Sequence, residues 1–133
     1  MKHYDVVAAV IVYANKYLCM QKGKTRYAYT SYKFEFPGGK IEDGETPEEA
    51  LKRELREEMS YDVEIVRPLV TVEQTYPDFS ITMEAFLCTA TTPSFEMKEH
   101  ASFRWLPLGE LRNLDWAAAD IQIVDALTKH PLT

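Results

Sequence analysis

The sequence predicts an α/β fold, with helices flanking a mixed sheet. Two pairs of apolar, β-branched runs each bracket a short turn, a strongly signalled amphipathic helix separates the pairs, and a second helix closes the chain. With 133 residues, the chain can build one proper core and not two. Residues 1–133 are therefore expected to form a single domain.

The elements follow in order. Val6 to Tyr13 and Tyr17 to Gln21 are apolar runs joined by Ala14-Asn15-Lys16, an opening hairpin. Residues 22 to 33 form a polar, tyrosine-bearing loop leading into Phe34-Glu35-Phe36. Pro37-Gly38-Gly39 is expected to break regular structure and to allow close backbone approach. Thr46-Pro47-Glu48-Glu49 starts a helix, with Thr46 as N-cap, Pro47 at the first helical position and Glu49 closing a capping box. That helix runs from Pro47 to Met59, with Ala50, Leu51 and Leu55 on its buried stripe. Val63 to Thr75 and Ser80 to Thr91 form a second hairpin around Tyr76-Pro77-Asp78-Phe79. A loop from Thr92 to Ala101 precedes a short strand, Phe103 to Leu106, and Pro107 to Leu111 opens a turn of helix. Trp116 then begins a closing helix that extends over Ala117 to Lys129. Trp105 reads as a core residue; Trp116 suits either the core or a pocket wall.

A net charge of −6 argues against a general binder of nucleic-acid polymers. Much of it is local, since residues 42 to 58 hold eight acidic side chains against three basic ones. An acidic site that takes an anionic substrate needs cations to bridge the two. Cys19 and Cys88 lie far apart in apolar runs and read as small buried hydrophobes of a reducing compartment. The run Val6 to Ala14 is too short to span a membrane. Asp5 spoils a basic leader region, and no small-residue cleavage site follows. A cytoplasmic protein without membrane partners is expected.

The chemistry concentrates in residues 38–61. Glu54, Glu57 and Glu58 stand at i, i+3 and i+4, so all three project from one helix face. Like charges packed that closely repel unless a cation sits between them, and Mg2+ takes carboxylate oxygens while keeping water and phosphate in its other positions. A charge-laced helix with Lys52, Arg53 and Arg56 interleaved is ordinarily a solvated face. The fixed register with Gly38-Gly39 upstream points to more.

This stretch resembles the Nudix signature, GX5EX7REUXEEXGU with U aliphatic. Gly39, Glu45, Arg53, Glu54, Glu57 and Glu58 match it, preceded by the paired Gly38 of MutT-type members. Ser60 replaces the pattern's Gly and Tyr61 its aliphatic residue. The resemblance sharpens the fold to the Nudix α/β/α sandwich. It implies a metal set of the Gly38 carbonyl, Glu54, Glu57, Glu58 and Glu99, taking Mg2+ with Mn2+ as a substitute. The implied catalytic residues are Arg53, Glu54, Glu57 and Glu99, with Arg53 orienting Glu54 and paired to Glu45.

The segment from Asn15 to Phe34 holds no acidic residue and five basic ones. Lys16 and Lys33 read as ordinary exposed charges, whereas by resemblance Lys22 and Lys24 face the phosphates; Arg26 lies in the same segment, where the loop length departs from the family pattern. Phe36 and Asp120 fall where MutT-like proteins contact the base. An ionised aspartate only accepts hydrogen bonds, which suits the amino group of cytosine or the N1 and N2 donors of guanine. His100, a single loop histidine, reads as incidental.

The implied activity is Mg2+-dependent hydrolysis of a nucleoside triphosphate, oxidised or methylated ones included, to monophosphate and pyrophosphate. Asp120 tilts the expectation towards the cytidine triphosphate type. The partner is a small-molecule nucleotide, and the chain is expected to be a monomer or homodimer. Cleavage of another nucleoside diphosphate derivative such as ADP-ribose is the alternative, as is a non-catalytic nucleotide sensor. Sensors of that kind usually lose part of the glutamate set, which here is whole.

Overall fold

The computed structural model describes residues 1–132. β1 (Lys2–Tyr13) turns into β2 (Lys16–Gln21) through Ala14 and Asn15, both at positive φ. Two left-handed residues at a two-residue turn match the twist of the strands they join. Next come β3 (Phe34–Glu35), β4 (Gly38–Lys40), α1 (Pro47–Met59), β5 (Glu64–Thr75), β6 (Phe79–Thr89) and β7 (Ser102–Leu106). A 3₁₀ turn, Leu108–Asn113, precedes α2 (Asp120–Lys129).

The sheet runs β3-β2-β1-β6-β5, with β4 also paired to β1 and β7 to β2. It is mixed: β1 pairs with β6 in parallel over Lys2–Val12, and its pairings with β2 and β4 are antiparallel. β1 is buried on both faces at its centre, and its side chains alternate between two cores. Val7, Ala9 and Ile11 join Leu18, Met20 and the α1 residues Ala50, Leu51, Leu55 and Met59. Ala8 and Val10 join Cys19, Met83 and the α2 residues Ile123, Val124 and Leu127. One helix therefore covers each face, the expected sandwich. Leu51 and Leu55 are fully enclosed, each burial contributing roughly 1.5–3 kcal/mol.

The capping box forms as expected, with Thr46 accepting from the Glu49 amide at 3.1 Å and Glu49 accepting from the Thr46 amide at 2.9 Å. α1 ends at Ser60 in the left-handed conformation, φ 47° and ψ 42°. Tyr61, aliphatic in the family pattern, is buried on the α1 side, and its hydroxyl donates to the Thr92 carbonyl. Cys19 and Cys88 are free and buried, and burial pushes both thiols up to about 12.

Two expectations need correction. Gly38–Lys40 does not break regular structure but forms β4, in register with Val6–Ala8. The close approach is real, because a Cβ on Gly38 would fall 1.9 Å from the Val7 carbonyl oxygen. The last helix begins at Asp120, not at Trp116 or Ala117. The Phe34 amide donates to the Asp115 carbonyl at 2.8 Å and the Ala117 amide to the Phe34 carbonyl at 2.9 Å. Those bonds hold Trp116 extended beside β3 and delay the helix. No helix of the described residues is long and apolar enough to cross a membrane.

Candidate active site

Arg53 organises the acidic end of the site. Its guanidinium grips Glu45 with two nitrogens, Nε to Oε2 at 2.7 Å and Nη2 to Oε1 at 2.9 Å. The same head donates to the Lys40 carbonyl at 3.0 Å, to Glu54 Oε1 at 3.0 Å and to Glu57 Oε2 at 3.3 Å. This fork fixes α1 to β4 and holds Glu54 in one orientation. The hydrogen bond from Arg53 keeps the Glu45 carboxyl below its ordinary range.

Glu54 and Glu58 lie one helical turn apart at the floor of the site. A Cβ on Gly39 would come within 2.4–2.6 Å of the Glu54 carboxylate, so only glycine lets this carboxylate lie against β4. Glu58 Oε2 is buried without a hydrogen-bond partner. Burial, followed by repulsion from Glu54, Glu35 and Glu99, pushes the Glu58 carboxyl up to about 9. Backbone bonds between β4 and β1 alternate, Ala9 N–H to Pro37 O and Ile41 N–H to Asp5 O. The alternation directs the Gly38 carbonyl away from β1.

A cavity of about 740 Å³ lies above this floor. It brings together Lys22, Lys24, Phe36, Gly38, Glu58, Glu99 and Asp120, residues singled out in the sequence. Arg53, Glu54 and Glu57 do not line it; the Glu54 carboxylate lies against Gly39, which does, and the Glu57 side chain is 62 % exposed. Among the described residues no three carboxylate, imidazole or thiol side chains converge on one point. The donor set nonetheless fits a hard divalent cation. It offers oxygens alone, one of them is orphaned and buried, and its carboxylates repel each other as they stand.

Towards the other end, the Phe36 amide donates to Asp120 Oδ1 at 2.9 Å, and the Phe36 ring stacks on Trp116 with centroids 4.7 Å apart. Trp116 is buried, and its indole N–H donates to the Leu111 carbonyl, so it belongs to the core behind the pocket. Asp120 is buried, and desolvation together with repulsion from Glu35 pushes its carboxyl up to about 8. Burial opposes the charge of Lys22, but Glu35 and Asp120 outweigh it and its ammonium is held above the ordinary value. Lys33 pairs with Asp115 at 2.9 Å, away from the cavity. Arg26 lies over the Tyr27 ring at the cavity wall.

Sequence reasoning missed Glu35 and misread His100. Glu35 accepts from His100 Nε2 at 2.9 Å through one oxygen and meets Lys22 Nζ at 3.4 Å through the other. The His100 side chain is only 6 % exposed, so it is an enclosed partner and not an incidental loop residue. The strand alternation Phe34-Glu35-Phe36 carries a signal for Glu35, since the two phenylalanines face the core and the charge must face the opposite side. Nothing local marks His100, because its partner stands 65 residues away.

The match to known proteins is extensive. The NUDIX domain matches residues 3–127. The 8-oxo-dGTP diphosphatase of Escherichia coli K12 is 30% identical over 129 residues, 97% of this chain and 99% of the relative. The CTP pyrophosphohydrolase of the same organism is 29% identical over 95% of this chain and 92% of its own length. The solution structure of the Nudix hydrolase MutT of methicillin-resistant Staphylococcus aureus 252 is 37% identical, with a TM-score of 0.74, over 97% of this chain and 99% of that one. A glutamate-bearing helix held by Arg53 under a lysine-rimmed cavity accords with these matches, and the chain belongs to the Nudix family as one of its MutT-like hydrolases.

Proposed function

We propose that this Nudix domain, residues 1–133, is a Mg2+-dependent hydrolase of nucleoside triphosphates that releases the monophosphate and pyrophosphate. The observation that carries the reading is the buried, partnerless Glu58 oxygen beside Glu54, at the floor of a lysine-rimmed cavity. Glu54, Glu57, Glu58, Glu99 and the Gly38 carbonyl would hold the cation. Mg2+, with Mn2+ as a substitute, supplies neutralisation of phosphate charge and a more acidic attacking water.

The remaining steps belong to the chain. Lys22 and Lys24 grip the phosphates as point charges, and Arg53 holds Glu54 in its working orientation through Glu45. Water attacks phosphorus, the bridging P–O bond breaks, and the water's proton passes to one of the signature glutamates or to Glu99. Phe36 and Asp120 read the nucleoside end. With its carboxyl raised to about 8, Asp120 keeps a proton near neutral pH and can both donate and accept. The amino group of cytosine and the O6 of oxidised guanine each find a partner, so cytidine-type nucleotides, modified pyrimidines and oxidised guanine are the proposed substrates. The names of the two Escherichia coli relatives span the same pair of choices.

The test is pyrophosphate release from a panel of ordinary, oxidised and methylated nucleoside triphosphates, with Mg2+ and with chelator. Release that requires Mg2+ supports the reading. A protein that binds nucleotides and never cleaves them is a sensor, and one that cleaves ADP-ribose but no triphosphate has been assigned the wrong substrate class.

A further inference from the structure

The loop of residues 22–33 lines the cavity through Lys22 to Tyr27 and Thr30 and is built as a self-contained strap. Its base is pinned where the Lys22 amide donates to the Lys33 carbonyl at 3.0 Å and the Tyr32 amide to the Gly23 carbonyl at 3.1 Å. Inside, Thr25 Oγ1 meets Thr30 Oγ1 at 2.6 Å, and Ser31 Oγ donates to the Tyr27 carbonyl at 2.9 Å. The strap reaches the β5–β6 turn chiefly through Tyr29, the side chain that both stacks and hydrogen-bonds across the gap. The Tyr29 hydroxyl donates to Asp78 Oδ2 at 2.8 Å, and its ring is sandwiched between Tyr27 and Tyr76. The centroid separations are 5.1 and 5.6 Å, with near-parallel planes at 11° and 16°.

Tyr27, Tyr76 and Asp78 line the cavity, whereas Tyr29 does not. Tyr76 continues the connection inward, its hydroxyl accepting from the Ala119 amide at 3.1 Å, next to Asp120. Phe79 closes the same wall, 4.9 Å from Tyr76 and 5.8 Å from Tyr27 between centroids. Tyr29 outside the pocket and Phe79 inside it thus both bridge the rings of Tyr27 and Tyr76. Packed aromatic stacks resist displacement, so this spacing is held and not merely sampled.

We infer that Tyr29 is a positioning residue for the nucleoside end of the site, latching the 22–33 strap to the β5–β6 turn so that Tyr27, Tyr76 and Phe79 present a fixed aromatic wall to a planar base. The inference rests on the proposed nucleotide hydrolase reading. The effect of Tyr29 falls on the nucleoside end, because the phosphate-gripping lysines of the strap are held without it. Lys22 is held by the Lys33 carbonyl and by Glu35 at 3.4 Å, and Lys24 stands beside Thr25, whose amide donates to Ser31 Oγ at 2.9 Å. The carboxylate floor around Glu58 is held by Arg53 and Gly39.

The experiment compares Tyr29→Ala and Tyr29→Phe with the parent protein in nucleoside triphosphate hydrolysis. Inorganic tripolyphosphate, which lacks a nucleoside, serves as a competitive inhibitor. Removing two stacked pairs should raise KM for the nucleotide roughly fivefold to tenfold in Tyr29→Ala. Removing only the hydrogen bond should raise it about threefold in Tyr29→Phe. The tripolyphosphate inhibition constant should stay unchanged in both, with kcat within about twofold of the parent. An unchanged KM in Tyr29→Ala overturns the inference, and so does a parallel rise in the tripolyphosphate constant, which marks a general structural defect. Should Tyr29→Ala fail to fold, the same contrast of KM with the inhibition constant in Tyr29→Phe decides. A parent protein that cleaves no triphosphate overturns the proposed function instead, a distinguishable result.

Discussion

Asp120 accepts the backbone N–H of Phe36 at 2.9 Å, joining the first turn of α2 to the end of β3 across 84 residues of chain. This bond places a carboxylate, normally a solvated first-turn residue favoured by the helix dipole, inside the cavity beside the Phe36 backbone. Asp120→Ala should lower stability by about 1–3 kcal/mol, because it leaves a buried amide without a partner. It should also flatten the preference among bases in a nucleotide panel while basal triphosphate hydrolysis persists. An unchanged ranking would remove Asp120 from base reading.

Asp120 also gives a pH-dependence with a definite sign. Its carboxyl is raised from an ordinary 3.8 to about 8 in the folded state. Between those values the folded chain holds a proton that the unfolded chain has released, so this residue makes stability fall as pH rises through the window. Asparagine keeps an acceptor for the Phe36 amide and removes the titration. Asp120→Asn should therefore raise the melting temperature roughly 2–5 °C more at pH 8 than at pH 5, read by calorimetry at both. An equal shift at the two pH values would count against the raised carboxyl.

Glu57→Gln should leave the fold intact, since the side chain is 62 % exposed and its contact with Arg53 is long at 3.3 Å. The substitution keeps the volume and removes the charge that a hard cation needs. Turnover with Mg2+ should fall by about 100-fold or more at an unchanged melting temperature. Near-parental turnover would mean that the helix face had been assigned wrongly.

Arg53→Lys tests orientation apart from charge. Lysine cannot reproduce the two-nitrogen grip on Glu45 while also reaching Glu54 and the Lys40 carbonyl. Turnover should drop about 10- to 100-fold, with KM close to the parent's because the guanidinium does not line the cavity. A rise in KM alone would instead place Arg53 on the substrate.

Ser60→Gly weighs two opposed effects. The left-handed backbone at Ser60 costs a side chain roughly 1–2 kcal/mol. Against this, Ser60 Oγ donates to Glu96 Oε2 at 2.8 Å on an exposed surface, a bond contributing about 0.5–1 kcal/mol. The backbone term wins, so the melting temperature should rise by about 1–4 °C with turnover unchanged. A lower melting temperature would show that the Glu96 contact outweighs the strain.

Local signals in the sequence determined whatever depends on neighbours along the chain. The capping box at Thr46, the limits of α1, the left-handed Ser60 and the two hairpins all follow from spacings of a few residues, and the structure repeats them. Contacts between distant segments needed the tertiary structure. Trp116 is held extended by Phe34 and Asp115, which a helical pattern in residues 116–129 cannot reveal. Gly38–Lys40 becomes a strand only because Val6–Ala8 lies beside it. Glu35 acquires Lys22 and His100, and Tyr29 acquires Asp78, through pairings of β2 with β3 and of β5 with β6 that bring loops of one end together. Buried charges and stacked rings take their energies from how well a closed cavity excludes water and fixes distance, and such a cavity exists only once the sheet has formed.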